Sequence, residues 1–143
     1  MSDDFYSYNS GYVNKIYRDE HDAQEHHAAR HILPQKFLNQ HDLPHSTGNL
    51  RLGAHNPRNV PIDNLIDNQV LNGTFQPCYT NGGVYVSRQD AIDRIEQQIS
   101  VMKQYQSDGY NISKVAQRQL YYAAQDTGMD LRAFNGMNFY KPK

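Results

Sequence analysis

Residues 87–107 read SRQDAIDRIEQQISVMKQYQS, and this stretch decides the fold because it carries both a helix start and an apolar stripe. Ser87 is a suitable N-cap, and Asp90, three residues on, completes a variant of the capping box. Apolar residues then recur at intervals of three, four and three, the spacing of one helix face: Ile92, Ile95, Ile99 and Met102. We predict a helix over 88–107 whose stripe faces a core.

A second helix is predicted directly downstream, over residues 113–127. It starts at Ser113 (or Asn111), and Gly128 suits the position just past its end. Small and aliphatic side chains form its apolar face: Val115, Ala116, Leu120, Ala123 and Ala124. A short link and two apolar faces predict an antiparallel helical hairpin at about 88–127. We expect this hairpin to be the stable core.

Two smaller elements are predicted upstream of the hairpin. Residues 61–72 have helical spacing, with Pro61 suited to the first position and Gly73 to the position after the end. A short β-hairpin is predicted at about 78–86, because strand-forming residues flank the turn sequence Asn81-Gly82-Gly83. Pro77 indicates an edge strand.

The fold class that follows is mainly α, with much irregular and extended chain. A surface helix is predicted over 19–33, where Ala28 and Ala29 favour helix and Pro34 ends it. Residues 34–60 are rich in turn formers, which predicts irregular structure. The chain then divides into four segments: an extended N-terminal arm (1–18), a surface helix and irregular linker (19–60), a small helical core with the hairpin (61–128) and an extended C-terminal arm (129–143).

Composition excludes several classes of protein. The mean hydropathy is −0.85 and no run of 18 apolar residues occurs, so we expect no membrane span. The formal net charge of −1 is unlike the basic surface of a nucleic-acid-binding protein. One cysteine, Cys78, permits no internal disulfide. No secretory signal is recognisable, and we expect the chain in a virion or the host cytoplasm.

Histidines form the one sequence cluster that suggests metal chemistry. His27 and His31 are four residues apart, which in the predicted helix places both on one face, a spacing that can hold one metal ion. They are weak candidates, because zinc needs three or four ligands and no complete set is evident. A solvated polar face and a contact that responds to pH remain open alternatives. We therefore expect no cofactor.

Motifs of common enzymes are missing from the sequence. Gly82-Gly83 lacks the lysine and hydroxyl residue that follow a phosphate-binding loop, and no serine nucleophile elbow occurs. Cys78 lies in a predicted strand, away from any helix terminus that would activate it as a nucleophile. A helix-turn-helix over 111–134 is disfavoured, because the segment after Gly128 is too short for a recognition helix. We expect a protein that is not an enzyme.

The function expected from these patterns is a structural subunit of a large assembly. Aromatic residues scattered in extended chain are suited to filling pockets on neighbouring subunits, and we predict six partner contacts: Phe5, Tyr8, Tyr12, Phe134, Phe139 and Tyr140. A virion protein of the minor capsid, cement or head-completion type fits this description, with other subunits, possibly a major capsid protein, as partners. Two alternatives stay open: a small histidine-based metal-binding protein or metal-dependent enzyme, and a phage-type regulatory protein that docks on a host enzyme.

Overall fold

Two compact units divide the chain between Asn59 and Val60. The structure, a computed structural model, describes residues 27–54 and 59–139. It is mainly helical, and its strands form two separate antiparallel pairs within the described residues. This agrees with the fold class predicted from the sequence.

The first unit is built around one antiparallel strand pair. Strand β1 (His27–His31) pairs with β2 (Leu50–Ala54), and the register runs from His27 opposite Ala54 to His31 opposite Leu50. Between them lie helix α1 (Gln35–Gln40) and a 3-10 turn (Thr47–Asn49). Aliphatic and aromatic side chains from this connection are buried in the unit: Ile32, Leu33, Phe37, Leu38 and Leu43.

One buried asparagine ties the connection to the end of β1. The side chain of Asn49 accepts the backbone N–H of Leu33 at 2.7 Å and donates to the carbonyl of Leu33 at 2.9 Å. The backbone N–H of Ile32 donates to the carbonyl of Asn49 at 2.8 Å. Asn49 therefore satisfies buried backbone groups that the strand pair does not reach.

The helix predicted over 19–33 is wrong for residues 27–31, which form β1. Alanine favours helix by only a fraction of a kcal/mol per residue, about the scale that tertiary pairing overrides. Here the pairing comes from β2, in the segment predicted to be irregular. Residues 19–26 lie outside the described residues. Likewise, α1 adds regular structure to 34–60, with Pro34 at its N-cap position.

The second unit contains the predicted helical and β hairpins. Helix α2 (Asn59–Val70) is followed by strands β3 (Cys78–Tyr79) and β4 (Tyr85–Val86), then by helices α3 (Arg88–Ser107) and α4 (Lys114–Thr127). Cys78 pairs with Val86 and Tyr79 with Tyr85. Helices α3 and α4 pack together, joined by residues 108–113. Both hairpins are confirmed.

The ends of α3 and α4 follow the predicted caps, whereas α2 begins at Asn59, two residues before Pro61, and ends at Val70, three residues before Gly73. Ser87 Oγ accepts the N–H of Asp90 at 3.2 Å, and the Asp90 carboxylate accepts the N–H of Ser87 at 2.7 Å, which completes the capping box. Ser113 Oγ accepts from the N–H groups of the first turn of α4. Gly128 ends α4 with φ of 74°, a left-handed conformation that glycine adopts without strain.

The core of the second unit is made where these helices meet. Ile95, Ile99 and Met102 of α3 are buried, as the stripe predicts, while Ile92 is half-buried. They share the interior with residues of the other elements: Val70, Phe75, Val86, Leu120, Ala123, Ala124 and Phe134. Among the described residues, no helix is long and apolar enough to cross a lipid bilayer.

Candidate interaction surface

Tyr79 and Tyr85 form an exposed aromatic pair on the β-hairpin. The two residues are direct cross-strand partners, and their ring centroids lie 5.1 Å apart. Tyr79 is 70% exposed and Tyr85 is 52% exposed. Isolated exposed apolar side chains are common on protein surfaces, but two large rings in contact make a continuous patch.

The turn that joins the tyrosines is closed by three hydrogen bonds. The backbone N–H of Thr80 donates to the carbonyl of Val84 at 2.8 Å, and that of Gly83 donates to the carbonyl of Thr80 at 2.9 Å. The N–H of Val84 also donates to Thr80 Oγ1 at 3.1 Å. Gly83 has φ of 79°, which a side chain would make unfavourable. These bonds fix the backbone that joins the two tyrosines.

The other end of the hairpin is fixed to α2 by one glutamine. Gln69 Oε1 accepts the backbone N–H of Gln76 at 2.9 Å, and Gln69 Nε2 lies 3.6 Å from Cys78 Sγ. On β4, Val86 is fully buried, whereas the preceding residue, Tyr85, is exposed. The strand therefore presents one face to the core and the tyrosine face to solvent.

A second aromatic group lies after α4. Tyr121, Phe134 and Phe139 form a triangle with ring centroids 5.2 to 5.6 Å apart. Phe134 is only 1% exposed, so it lies in the core of its own unit and not on a surface open to a partner. Phe139 is half-buried, which leaves part of its ring accessible.

Four of the predicted partner contacts lie outside the described residues: Phe5, Tyr8, Tyr12 and Tyr140. Their role stays a prediction. The tyrosine pair of the hairpin was not among the predicted contacts. A usable signal was present, because Tyr79 and Tyr85 stand at equal distances from Gly82 at the centre of the turn.

The shared helix face predicted for His27 and His31 is wrong, because residues 27–31 form strand β1. In strand β1, residues four apart are separated by about 13 Å, too far for one ion to bind both. His31 instead approaches His45, with ring centroids 6.1 Å apart. Within 27–54 and 59–139, no three metal-ligating side chains come together.

The histidines of the first unit are shifted toward their neutral forms. Burial lowers the pKa of His31, and the nearby His45 lowers it further. Burial also lowers the pKa of His45 and of His41, whose ring lies 4.3 Å from that of Phe37. Protonation of these rings is therefore expected to destabilise the unit.

A buried polar group joins α2 and α3. Arg94, 5% exposed, donates to Asp67 through two nitrogens at 3.0 and 3.3 Å and lies 3.4 Å from Asp63. Gln98 Nε2 donates to Asp67 Oδ1 at 2.8 Å. Burial raises the pKa of Asp67 to about 6, against the opposing effect of Arg94. The group links two helices of one unit through buried side chains, which is the arrangement of a structural ion pair.

Comparison with known proteins gives no match: no family model, curated protein or solved structure is similar to this chain. The assignment of a candidate site therefore rests on the geometry of the described residues. Of the groups described above, the aromatic triangle and the buried ion pair are largely enclosed by their own unit. The tyrosine pair is the one that faces solvent with its apolar surface.

Proposed function

We propose that this chain is a non-enzymatic subunit of a large assembly, of the minor capsid, cement or head-completion type found in virions. Its partners are other protein subunits, possibly a major capsid protein. The observation that carries the proposal is the Tyr79–Tyr85 pair, two large rings exposed side by side on a hydrogen-bonded hairpin.

The energetics of the pair favour protein contact. Tyrosine combines a large apolar ring with a hydroxyl that hydrogen-bonds at a wet rim, which is why it is enriched in interfaces. The rings already contact one another and the turn beneath them is closed. The closed turn already orders the backbone of the pair, so less backbone entropy is lost on binding and more of the burial energy contributes to affinity.

Further contact surface comes from the ends of the chain. Phe139 keeps part of its ring accessible at the edge of the aromatic triangle. Phe5, Tyr8, Tyr12 and Tyr140 remain predicted contacts of the two arms. Association through one rigid hairpin and two aromatic arms suits a small protein that bridges larger subunits.

The test is the size of the complex that contains the chain where it is naturally made. A tagged chain is followed by sedimentation of cell extracts and of purified particles, beside the purified chain at 16.5 kDa. We expect the natural form in fractions far heavier than the monomer. We expect a Tyr79→Ser/Tyr85→Ser variant to move to the light fractions.

Val115→Ser is the matched control, because Val115 is an equally exposed apolar residue (56%) on α4. It should stay in the heavy fractions. A wild-type chain that sediments as a monomer in extracts would exclude an assembly subunit. A double variant that keeps its place in the particle would exclude the tyrosine pair as the contact.

A further inference from the structure

The sequence contains three Asn–Gly steps: Asn72-Gly73, Asn81-Gly82 and Asn135-Gly136. At such a step the backbone nitrogen of glycine can attack the asparagine side chain, because glycine has no side chain to obstruct the approach. The reaction needs a backbone amide that is free to move and reachable by water. The structure gives the three steps different environments.

The step at Asn81 meets both requirements. Asn81 and Gly82 are exposed at the tip of the hairpin. The hydrogen bonds of the turn use the N–H groups of Thr80, Gly83 and Val84, and none of the described bonds uses that of Gly82. Two consecutive glycines follow Asn81, so the backbone can rearrange there at low cost.

The step at Asn72 is held in place. The N–H of Gly73 donates to the carbonyl of Val70 at 3.2 Å, and the N–H of Asn72 donates to the carbonyl of Gln69 at 3.1 Å. A Cβ placed on Gly73 would lie 2.0 Å from Gln119 Oε1, which shows how closely Gln119 covers this backbone.

The step at Asn135 is intermediate between the other two. It is exposed, and the N–H of Met137 donates to the carbonyl of Phe134 at 3.1 Å across it, just as the N–H of Gly83 donates to the carbonyl of Thr80 at 2.9 Å across the step at Asn81. Because Phe134 is buried, this turn is anchored to the core of the unit.

We propose that Asn81 is a site of spontaneous deamidation in the folded protein. A base removes the amide proton of Gly82, and the nitrogen bonds to Cγ of Asn81. The bond from Cγ to the side-chain nitrogen breaks, and ammonia leaves. Water then opens the resulting succinimide at either carbonyl and gives aspartate or isoaspartate. Each event makes the chain more negative by one charge, at the tip of the hairpin.

The experiment is peptide mapping of the purified full chain after incubation at mildly alkaline pH, in buffer and in denaturant. The readout is the mass increase that marks an amide replaced by a carboxylate, followed at all three asparagines. In the folded chain, we expect Asn81 to react about tenfold or more faster than Asn72, the ratio that one hydrogen bond of about 1.4 kcal/mol sustains. In denaturant the difference should vanish.

Gly82→Ala is the chemical control. A Cβ on Gly82 meets nothing closer than Thr80 Oγ1 at 3.7 Å, and its φ is not left-handed, so the variant keeps the turn. It should slow the reaction at Asn81 and leave Asn72 unchanged. Equal rates at Asn81 and Asn72 in the folded chain would overturn the proposal. This readout is covalent chemistry, so its result is independent of whether the tyrosine pair binds a partner.

Discussion

Arg94 on α3 holds Asp67 on α2 with two nitrogens, Nε at 3.0 Å from one carboxylate oxygen and Nη2 at 3.3 Å from the other. This pair links the two helices together with the hydrogen bond from Gln98 to Asp67, and both Arg94 and Asp67 are buried. Removing one partner of a buried ion pair is costly, because the remaining buried charge has no counter-ion.

We expect Arg94→Met to lower the free energy of unfolding by about 3–5 kcal/mol, since it leaves the Asp67 carboxylate buried without its cation. Asp67→Leu/Arg94→Met should recover much of the loss, because no charge is then stranded. Urea denaturation followed by circular dichroism measures both variants.

Arg132→Met is the control for that experiment. The Arg132–Asp130 pair is shorter, at 2.6 Å, but both side chains are exposed. Water screens such a pair, so its loss should change stability far less than the loss of Arg94. If both arginine variants lower the free energy of unfolding equally, burial does not account for the contribution of the Arg94–Asp67 pair.

Stability of the second unit should fall as pH rises through the range of about 4 to 6. The pKa of Asp67 is raised from 3.8 to about 6 by burial, so between these values the folded state retains a proton that the unfolded chain has released. The folded state is then progressively disfavoured, by about 3 kcal/mol in total. Hydrogen exchange of peptides from α2 and α3 measures the trend. Asp67→Asn should flatten it, and a wild-type profile without this slope would contradict the shift.

The first unit should show the opposite trend. Burial lowers the pKa of His31, His41 and His45, so stability is full above about 6.5 and is lost as pH falls through the lowered values. Titration by NMR should place His31 below its ordinary range. His45→Gln should raise the pKa of His31, because it removes one of the two causes of the shift. An unchanged His31 titration in that variant would show that the rings do not interact.

Phe134→Ala should destabilise the second unit by about 3–5 kcal/mol, the usual cost of removing a buried aromatic ring. Phe139→Ala should lower the free energy of unfolding clearly less than Phe134→Ala, because the Phe139 ring is only half-buried. Thermal and urea denaturation of both variants measures the difference. Equal losses would mean that Phe139 is as much a part of the core as Phe134.

The elements that the sequence predicted are those set by local signals. Residues 87–90 contain the whole capping box, and the turn at 81–83 lies within one β-hairpin, so no distant residue is needed to recognise either. The pairing of β1 with β2 depends on residues 19 to 27 positions apart, from His31 opposite Leu50 to His27 opposite Ala54. No local pattern in the alanine-rich segment reveals that partner.

The same reasoning applies to the sites. Arg94 follows Asp93 in a helix whose sequence pattern suggests that the charged residues face solvent. Its buried position depends on the ion pair with Asp67, 27 residues earlier. His31 was paired with His27 by spacing along one element, whereas its neighbour in space, His45, comes from the following connection. The exposure of Tyr79 and Tyr85 depends on which face of the hairpin meets the core. The structure shows this face through the burial of Val86.

Strand β4 passes into α3 with Ser87 alone between them. Val86 is buried in the core, and Ser87 and Asp90 form reciprocal hydrogen bonds. Both residues that connect the hairpin to the helix are therefore fixed by contacts. A mechanical load applied at Tyr85 therefore reaches the first turn of α3 through two successive residues. We therefore expect a displacement of the base of the hairpin to disturb the N-terminal capping of α3.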